Sequence, residues 1–424
     1  MPESSTPDRW RKTNLADLGE YVNGFAFNES YWSTEGLPIV RIAQITGSQG
    51  IVDRYKGTLP DSYRLEEGDI VFSWSGTLAV VRWSGGPAWL NQHLFKVVPR
   101  NGVDADLLFH LLQASVAEMD KRTHGSTMKH IKRGELVEFN VLLPNSPDEQ
   151  AQLARVLDTL DTTIRQTEAI IEKLKQVKQG LLHDLLTRGI ADNGELRPLQ
   201  SEAPHLYKES ALGWIPCDWT SGPLSNWLFG RPKNGYSPQE AGQWTGVQML
   251  GLGCLTASGF LPCQLKNAPA GDARLRSALL KPGDLLISRA NTRELVGLAG
   301  TYTDVGSPCT YPDLMMRLTP ASSTSGSFVE IVLSSPSSRR QIQASASGTS
   351  GSMAKVSGGI VMALQVAVPC LAEQARILAV CASAILRLQA EAASLMGQQA
   401  LKSGLMDDLL TGRVRVTALL NAEA

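Results

Sequence analysis

The sequence predicts an α+β chain in which two mixed α/β units alternate with two long helices, and three observations predict it. First, Glu149-Gln150-Ala151 opens a helical stretch ending Gly180-Leu-Leu-His-Asp-Leu-Leu-Thr187, and Glu373-Gln374-Ala375 opens another ending Gly404-Leu-Met-Asp-Asp-Leu-Leu-Thr411; the two align without a gap, 224 positions apart. Second, Leu65-Glu-Glu-Gly-Asp-Ile-Val-Phe-Ser-Trp-Ser-Gly-Thr77 matches Leu280-Lys-Pro-Gly-Asp-Leu-Leu-Ile-Ser-Arg-Ala-Asn-Thr292. Third, the stretch before each helix is a series of short apolar runs punctuated by Gly and Pro, the pattern of strands and turns. A chain made of two copies has approximate two-fold symmetry, and duplex DNA is one of the few partners offering a matching pseudo-dyad.

The first unit, residues 1–147, holds predicted strands at Leu37–Ile42, Asp69–Ser73 and Leu94–Val98, a helix from about Ala105 to Met119, and an extended run from Phe139 to Pro144. From 148 to 190 a long helix carries Leu153, Leu157, Leu160, Ile164, Ile171, Leu174, Leu181 and Leu185 at steps of four and three, a heptad seam. Some 40 helical residues make a rod of roughly 60 Å that cannot bury its seam alone. Its natural partner is the second rod, 371–412, with Ile377, Cys381, Ala384, Leu388, Leu395, Leu405 and Leu409 on the equivalent seam. Glu391, Gln398 and Lys402 interrupt that seam, and polar seam positions fix register at a cost in stability. A polar linker at 191–207, expected to be loosely ordered, precedes the second mixed unit at 208–370, and a tail runs from 413 to 424.

At 424 residues the chain exceeds one ordinary domain, and 43% hydrophobic with 19% charged residues is a globular balance. No run of about 18 apolar residues and no signal-peptide pattern stand out, so a cytoplasmic protein without a membrane span is expected. The six cysteines, at 217, 254, 263, 309, 370 and 381, lack any Cys-x-x-Cys pair and read as unpaired thiols, not as metal ligands. A formal net charge of −1 does not exclude nucleic acid, because phosphate binding needs a local basic face. Two such clusters exist: Lys121, Arg122, His124, Lys129, His130, Lys132 and Arg133, and then Arg274, Arg276, Lys281, Arg289 and Arg293.

Within the repeat, the Gly68-Asp69 and Gly283-Asp284 pairs read as turns in which Asp bonds its own backbone. The copies diverge just after the following strand. Ser73-Trp74-Ser75-Gly76-Thr77 carries hydroxyls and one aromatic, whereas Ser288-Arg289-Ala290-Asn291-Thr292-Arg293 carries groups that match guanine, adenine and the thymine methyl. A solvated loop or a phosphate contact is the competing reading for Arg289 and Arg293. Gly125-Ser126-Thr127 and Ser350-Gly351-Ser352 read as helix caps or as phosphate seats, with Lys355 the one basic residue following the second. No Gly-x-Ser-x-Gly elbow, His-Glu-x-x-His pair, phosphate-binding loop or Asn-Pro-Pro-Tyr tetrad occurs. His93, His110, His183 and His205 read as ordinary surface or core histidines.

Taken together, Asn23-Gly24-Phe25-Ala26-Phe27, Pro38-Ile-Val-Arg-Ile42, Asn91-Gln92-His93-Leu94-Phe95, Gly213-Trp214-Ile215-Pro216 and the doubled Glu-Gln helices make the chain resemble the specificity subunits of Type I restriction-modification systems. The resemblance implies two target recognition domains, each reading one half of a bipartite, asymmetric DNA sequence, and two helices packed as an antiparallel coiled coil that spaces them. It implies no catalysis and no bound cofactor in this chain. Modification subunits, two in number, would supply S-adenosylmethionine and methylate adenine; two restriction subunits would supply ATP- and Mg-dependent translocation and cleavage. Carried onto this sequence, DNA contacts fall on Ser73, Trp74, Ser75, Thr77, Ser126, Thr127, Lys129, His130, Lys132 and Arg133, and on Arg289, Asn291, Thr292, Arg293, Ser352 and Lys355. The competing readings are a coiled-coil adaptor that does not read DNA and a self-contained methyltransferase or nuclease.

Overall fold

A computed structural model describes residues 7–47, 51–122, 130–269, 271–348 and 353–417. The chain forms two compact units, one of Met1–Ile170 with Glu391–Ala424 and one of Ile171–Ala390. Each unit therefore contains one mixed domain, the N-terminal half of one long helix and the C-terminal half of the other.

In the first unit the strands are β1 (Trp10–Asn14), β2 (Gly19–Asn23), β3 (Leu37–Val40), β4 (Arg54–Tyr55), β5 (Arg64–Leu65), β6 (Ile70–Ser73), β7 (Ala79–Arg82), β8 (Ala88–Leu90), β9 (Leu94–Pro99) and β10 (Asn140–Pro144); the helices are α1 (Leu15–Leu18), α2 (Ile42–Ile45), α3 (Ala105–Arg122) and the start of α4 (Pro147–Thr187). Two four-stranded sheets run β2-β9-β6-β7 and β4-β3-β8-β5, and β1 pairs with β10. Every residue of β6 is buried, as a central strand covered on both faces requires. Leu107, Leu108, Leu111, Leu112 and Met119 recur on one face of α3 and share a core with Phe72, Phe95, Leu153 and Leu157.

The second unit begins with β11 (Tyr207–Ser210), β12 (Gly213–Pro216), β13 (Thr220–Pro223), β14 (Lys233–Asn234), β15 (Gln248–Leu250), β16 (Leu255–Thr256), β17 (Gly259–Phe260) and β18 (Leu265–Asn267). It continues with β19 (Leu285–Ser288), β20 (Ala290–Asn291), β21 (Ala299–Thr301), β22 (Cys309–Thr310), β23 (Met315–Leu318), α5 (Gly326–Ser334), α6 (Pro336–Ser345), β24 (Ala354–Lys355), α7 (Gly358–Ala363), β25 (Gln365–Val368) and α8 (Leu371–Leu410). Its order β14-β23-β19-β21 repeats β2-β9-β6-β7, its β18-β15-β22 repeats β4-β3-β8, and β13-β25 repeats β1-β10. Even the parallel pairing of strands recurs, β3 with β8 and β15 with β22.

The long helices pair antiparallel within each unit. Leu153 and Leu157 share one core with Leu405, Leu409 and Leu410, and Leu181 and Leu185 share another with Ile377 and Cys381. The polar seam positions face inward as the heptad requires: Thr167 is 6% exposed, and Lys402 Nζ lies 2.5 Å from Asp161 and 3.0 Å from Gln113. Contrary to the expectation of no such segment, α8 has an 18-residue window of mean hydropathy 1.4 and is long and apolar enough to cross a membrane. Both its ends are nevertheless built into cores, through Ile377 and Leu409.

The doubled Glu-Gln pair is a buried latch. Gln150 accepts from Asp104 N at the start of α3 and donates to Pro144 O at the end of β10; Gln374 accepts from Ser325 N at the start of α5 and donates to Pro369 O. Glu149 is bound by Arg415, just past α8, and Glu373 by Arg197, past α4. The linker expected to be loosely ordered is thus pinned: Arg197 is 8% exposed, bridging Glu373 and Asp218.

Candidate nucleic-acid interface

The Gly-Asp turns behave as their sequence predicts and do more. Asp69 Oδ2 accepts from Glu66 N at 2.7 Å and Asp284 Oδ2 from Lys281 N at 2.9 Å. Each carboxylate also pairs with the cation two residues into the neighbouring strand, Lys96 in β9 and Arg317 in β23. These strands hold the loops that follow them, and both loops are pinned by a second segment. Ser75 bridges to His130 and Ile131 N donates to Trp74 O; Ala290 pairs with Lys355 and Val356 N donates to Arg289 O, each at 2.9 Å. Trp74 thus corresponds to Arg289, and His130 to Lys355, on one scaffold.

The predicted contact residues divide. Trp74 is half-buried, while Thr77, His130, Lys132 and Arg133 are exposed. Arg289, Asn291 and Thr292 are half-buried, while Arg293 and Lys355 are exposed. Ser73 and Ser75 are not surface groups: they are 0% and 7% exposed, and Ser73 Oγ donates to Ser75 O at 3.2 Å, because β6 is the sheet's central strand and its last side chain turns into the core. Ser126, Thr127, Lys129 and Ser352 lie outside the described residues. Asn291 Oδ1 accepts from Thr292 N, so its amide nitrogen is the part free for a partner. Trp74 Nε1 and Thr292 Oγ1 are buried and have no hydrogen-bond partner among the described residues.

Other chemistry-bearing groups are accounted for by structure. All six cysteines are free, and burial pushes the Cys309 thiol up to about 12, so it is no nucleophile at neutral pH. His110, Asp158 and Asp161 stand close enough to hold a cation, but Arg82 already pairs with Asp158 and Lys402 with Asp161, so the carboxylates are neutralised within the chain. Arg82 also reaches Asp106 and lies over the Phe109 ring. His110 Nε2 donates to Asp158 at 2.8 Å, and its Nδ1, 4.0 Å from Asp161 Oδ2, has no hydrogen-bond partner among the described residues.

Burial holds the His110 imidazole below its usual 6.5, against the pull of the Asp158 hydrogen bond and of the Asp158 and Asp161 charges, and Arg82 adds to the depression. The unfolded chain therefore binds this proton more tightly, so the His110 contribution is fully present above pH 6.5 and is lost as the pH falls through the lower folded value. Melting temperature measured from pH 8 to 5 should fall at the acid end, and His110→Gln should flatten that fall; an unchanged slope would remove His110 as its source.

A family model described as the Type I restriction modification DNA specificity domain matches residues 7–176. The chain is 24% identical over 409 residues to the Type I restriction enzyme EcoKI specificity subunit of Escherichia coli K12, covering 89% of this chain and 82% of that one. The chain is similar to the Type I restriction-modification specificity subunits. A specificity subunit of Methanocaldococcus jannaschii, MjaVIII, is 25% identical over 225 residues. The chain spans about half the length of that relative and of the putative MjaX subunit from the same organism. The fold matches the crystal structure of the Type I S subunit from M. genitalium, with TM-score 0.55, 13% identity, and 97% and 98% of the two chains covered. A chain from a structure on complex assembly and conformational transition of the type I R-M system matches with TM-score 0.54 and 16% identity over 97% and 100%. The two-copy scaffold of this chain is therefore the fold of those solved chains.

Proposed function

We propose that this chain is a specificity subunit that reads a bipartite, asymmetric DNA sequence, one half with each unit, and directs adenine methylation and the cleavage of unmodified DNA by partner subunits. The observation carrying this is the convergence, in each unit, of the two segments in which the copies differ most: Trp74–Thr77 with His130, and Arg289–Arg293 with Lys355, at the same end of the same sheet. A matched scaffold with divergent tips is what reading two different half-sequences requires. Arg289 offers paired donors and Asn291 its amide nitrogen to base edges; Lys132, Arg133, Arg293 and Lys355 serve the phosphates and make binding salt-sensitive. The chain itself reads and the partners react: S-adenosylmethionine would sit in two modification subunits, and ATP with Mg in two restriction subunits, in the cytoplasm. Exposed apolar residues on α8, Leu386 at 65%, Met396 at 71% and Leu401 at 54%, support docking of those partners along the helix.

Sequencing of methylated bases in a host expressing this chain with its modification subunit tests the reading. Methyladenine in one split, asymmetric motif is expected; a contiguous motif, or methylation independent of the chain, would refute it. Arg289→Ala and Asn291→Ala should each relax only one half-site, by about 1–3 kcal/mol of discrimination if the contact is bidentate. Equal loss in both halves would instead mean a folding defect.

A further inference from the structure

The same comparison of copies extends to a third segment. Gly24 N donates to Leu94 O and Phe25 N to Leu90 O; Gly235 N donates to Met315 O and Tyr236 N to Tyr311 O. These bonds put Leu90-Asn91-Gln92-His93-Leu94, the turn from β8 into β9, in the same place as Tyr311-Pro312-Asp313-Leu314-Met315, the turn from β22 into β23. The strands on either side match in pairing, and the turn residues do not match in chemistry: an amide and an imidazole in one copy, a carboxylate and an aliphatic in the other.

In the first unit this turn lies against the loop after β6. The Trp74 ring is 6.0 Å from His93, 5.8 Å from His130 and 5.7 Å from Phe95. Trp74 is half-buried while both imidazoles are exposed, so the tryptophan is the wall and the histidines are the surface groups. His93 is held by its backbone, since His93 N donates to Asn91 Oδ1 at 3.3 Å and Asn91 is 3% exposed. In the second unit Asp313 is exposed, its carboxylate accepts from the Ser237 hydroxyl, its amide N donates to Ser237 Oγ at 3.1 Å, and its carbonyl accepts from Arg289 Nη1 at 3.5 Å. A fixed carboxylate beside an arginine sets an acceptor next to a donor.

Resting on the DNA-reading function, we infer that these turns are a third reading element, and that His93 in the first unit and Asp313 in the second are specificity-determining residues. The imidazole presents a nitrogen to a base edge with Trp74 as its support. The carboxylate accepts from an exocyclic amine of cytosine or adenine and repels bases that present only acceptors.

The test is methylated-motif sequencing of the complex assembled with wild type, His93→Ala and Asp313→Ala, with melting temperatures of each chain. His93→Ala should make a position of one half-site degenerate, with at least tenfold loss of discrimination there, and leave the other half intact; Asp313→Ala should do the converse. His93→Gln and Asp313→Asn, which keep the size of the side chain, should alter the same half-sites without lowering the melting temperature. An unchanged motif in these variants beside a bipartite wild-type motif overturns this inference alone. Relaxation of both half-sites by either variant overturns it too. A wild type that gives no bipartite methylation overturns the DNA-reading function and this inference with it.

Discussion

Arg197→Ala is expected to destabilise the second unit by about 3–5 kcal/mol, the cost of leaving a buried carboxylate without its cation. Glu373 is 1% exposed, and Arg197 covers both of its oxygens, at 2.5 and 3.0 Å. Once the guanidinium is gone, Ile190 N at 2.8 Å is the remaining donor to Glu373 Oε1, too little to replace a charge-assisted pair in an apolar setting. The first unit gives an internal comparison. Arg415 is 28% exposed at its side chain, and Trp10 Nε1 also donates to Glu149 at 3.3 Å, so water and the indole compensate in part. Arg415→Ala should cost less, about 1–2 kcal/mol after that screening. Urea unfolding of the two variants decides it, and the double change Arg197→Met with Glu373→Gln should recover most of the loss. Equal effects of Arg197→Ala and Arg415→Ala would refute an account based on burial.

The same latch marks where reading the sequence succeeded and where it ran out. Glu149-Gln150 and Glu373-Gln374 stand out because both members of each pair match at one offset, and the heptad seams stand out because a long rod repeats its pattern many times. Even the polar interruptions were legible, since Lys402 faces the seam as the heptad predicts and finds Asp161. Arg197 was not legible. It sits in a polar, glycine-containing stretch whose composition resembles a linker, and what orders it is a partner 176 residues away. The loops proposed to read DNA were legible as a place but not residue by residue. Divergence after Ser73 located the loop, yet alternation along β6 was hidden by a run buried on both faces, so Ser73 and Ser75 passed for surface hydroxyls. His93 stands in the Asn91–Phe95 run that the sequence does mark, but its place beside Trp74 comes from the pairing of β6 with β9, which no local pattern shows.

Gly235→Ala should cost about 1–3 kcal/mol or more by overpacking, and should abolish reading by the second unit. A Cβ at Gly235 would run into the carbonyl oxygens of Tyr311 and Pro312, and one at Gly24 into those of Asn91 and Leu90. These atoms are backbone and cannot swing aside, so the whole turn must move. Neither glycine has a positive φ, so the constraint is close approach and not backbone strain. The turn that must move carries Asp313 in one unit and His93 in the other. Gly24→Ala should therefore impair the first half-site as Gly235→Ala impairs the second, a coupling measurable by filter binding to half-site variants. The glycines most visible in the sequence repeat, Gly180 and Gly404, make the opposite case. Both lie inside long helices where an added Cβ meets nothing, so Gly404→Ala should stabilise by about 0.5–1 kcal/mol and leave recognition unchanged. If Gly404→Ala were as damaging as Gly235→Ala, glycine at the turn would not be set by the approach of strand to turn, and the shared position of Gly24 and Gly235 would lose its physical reason.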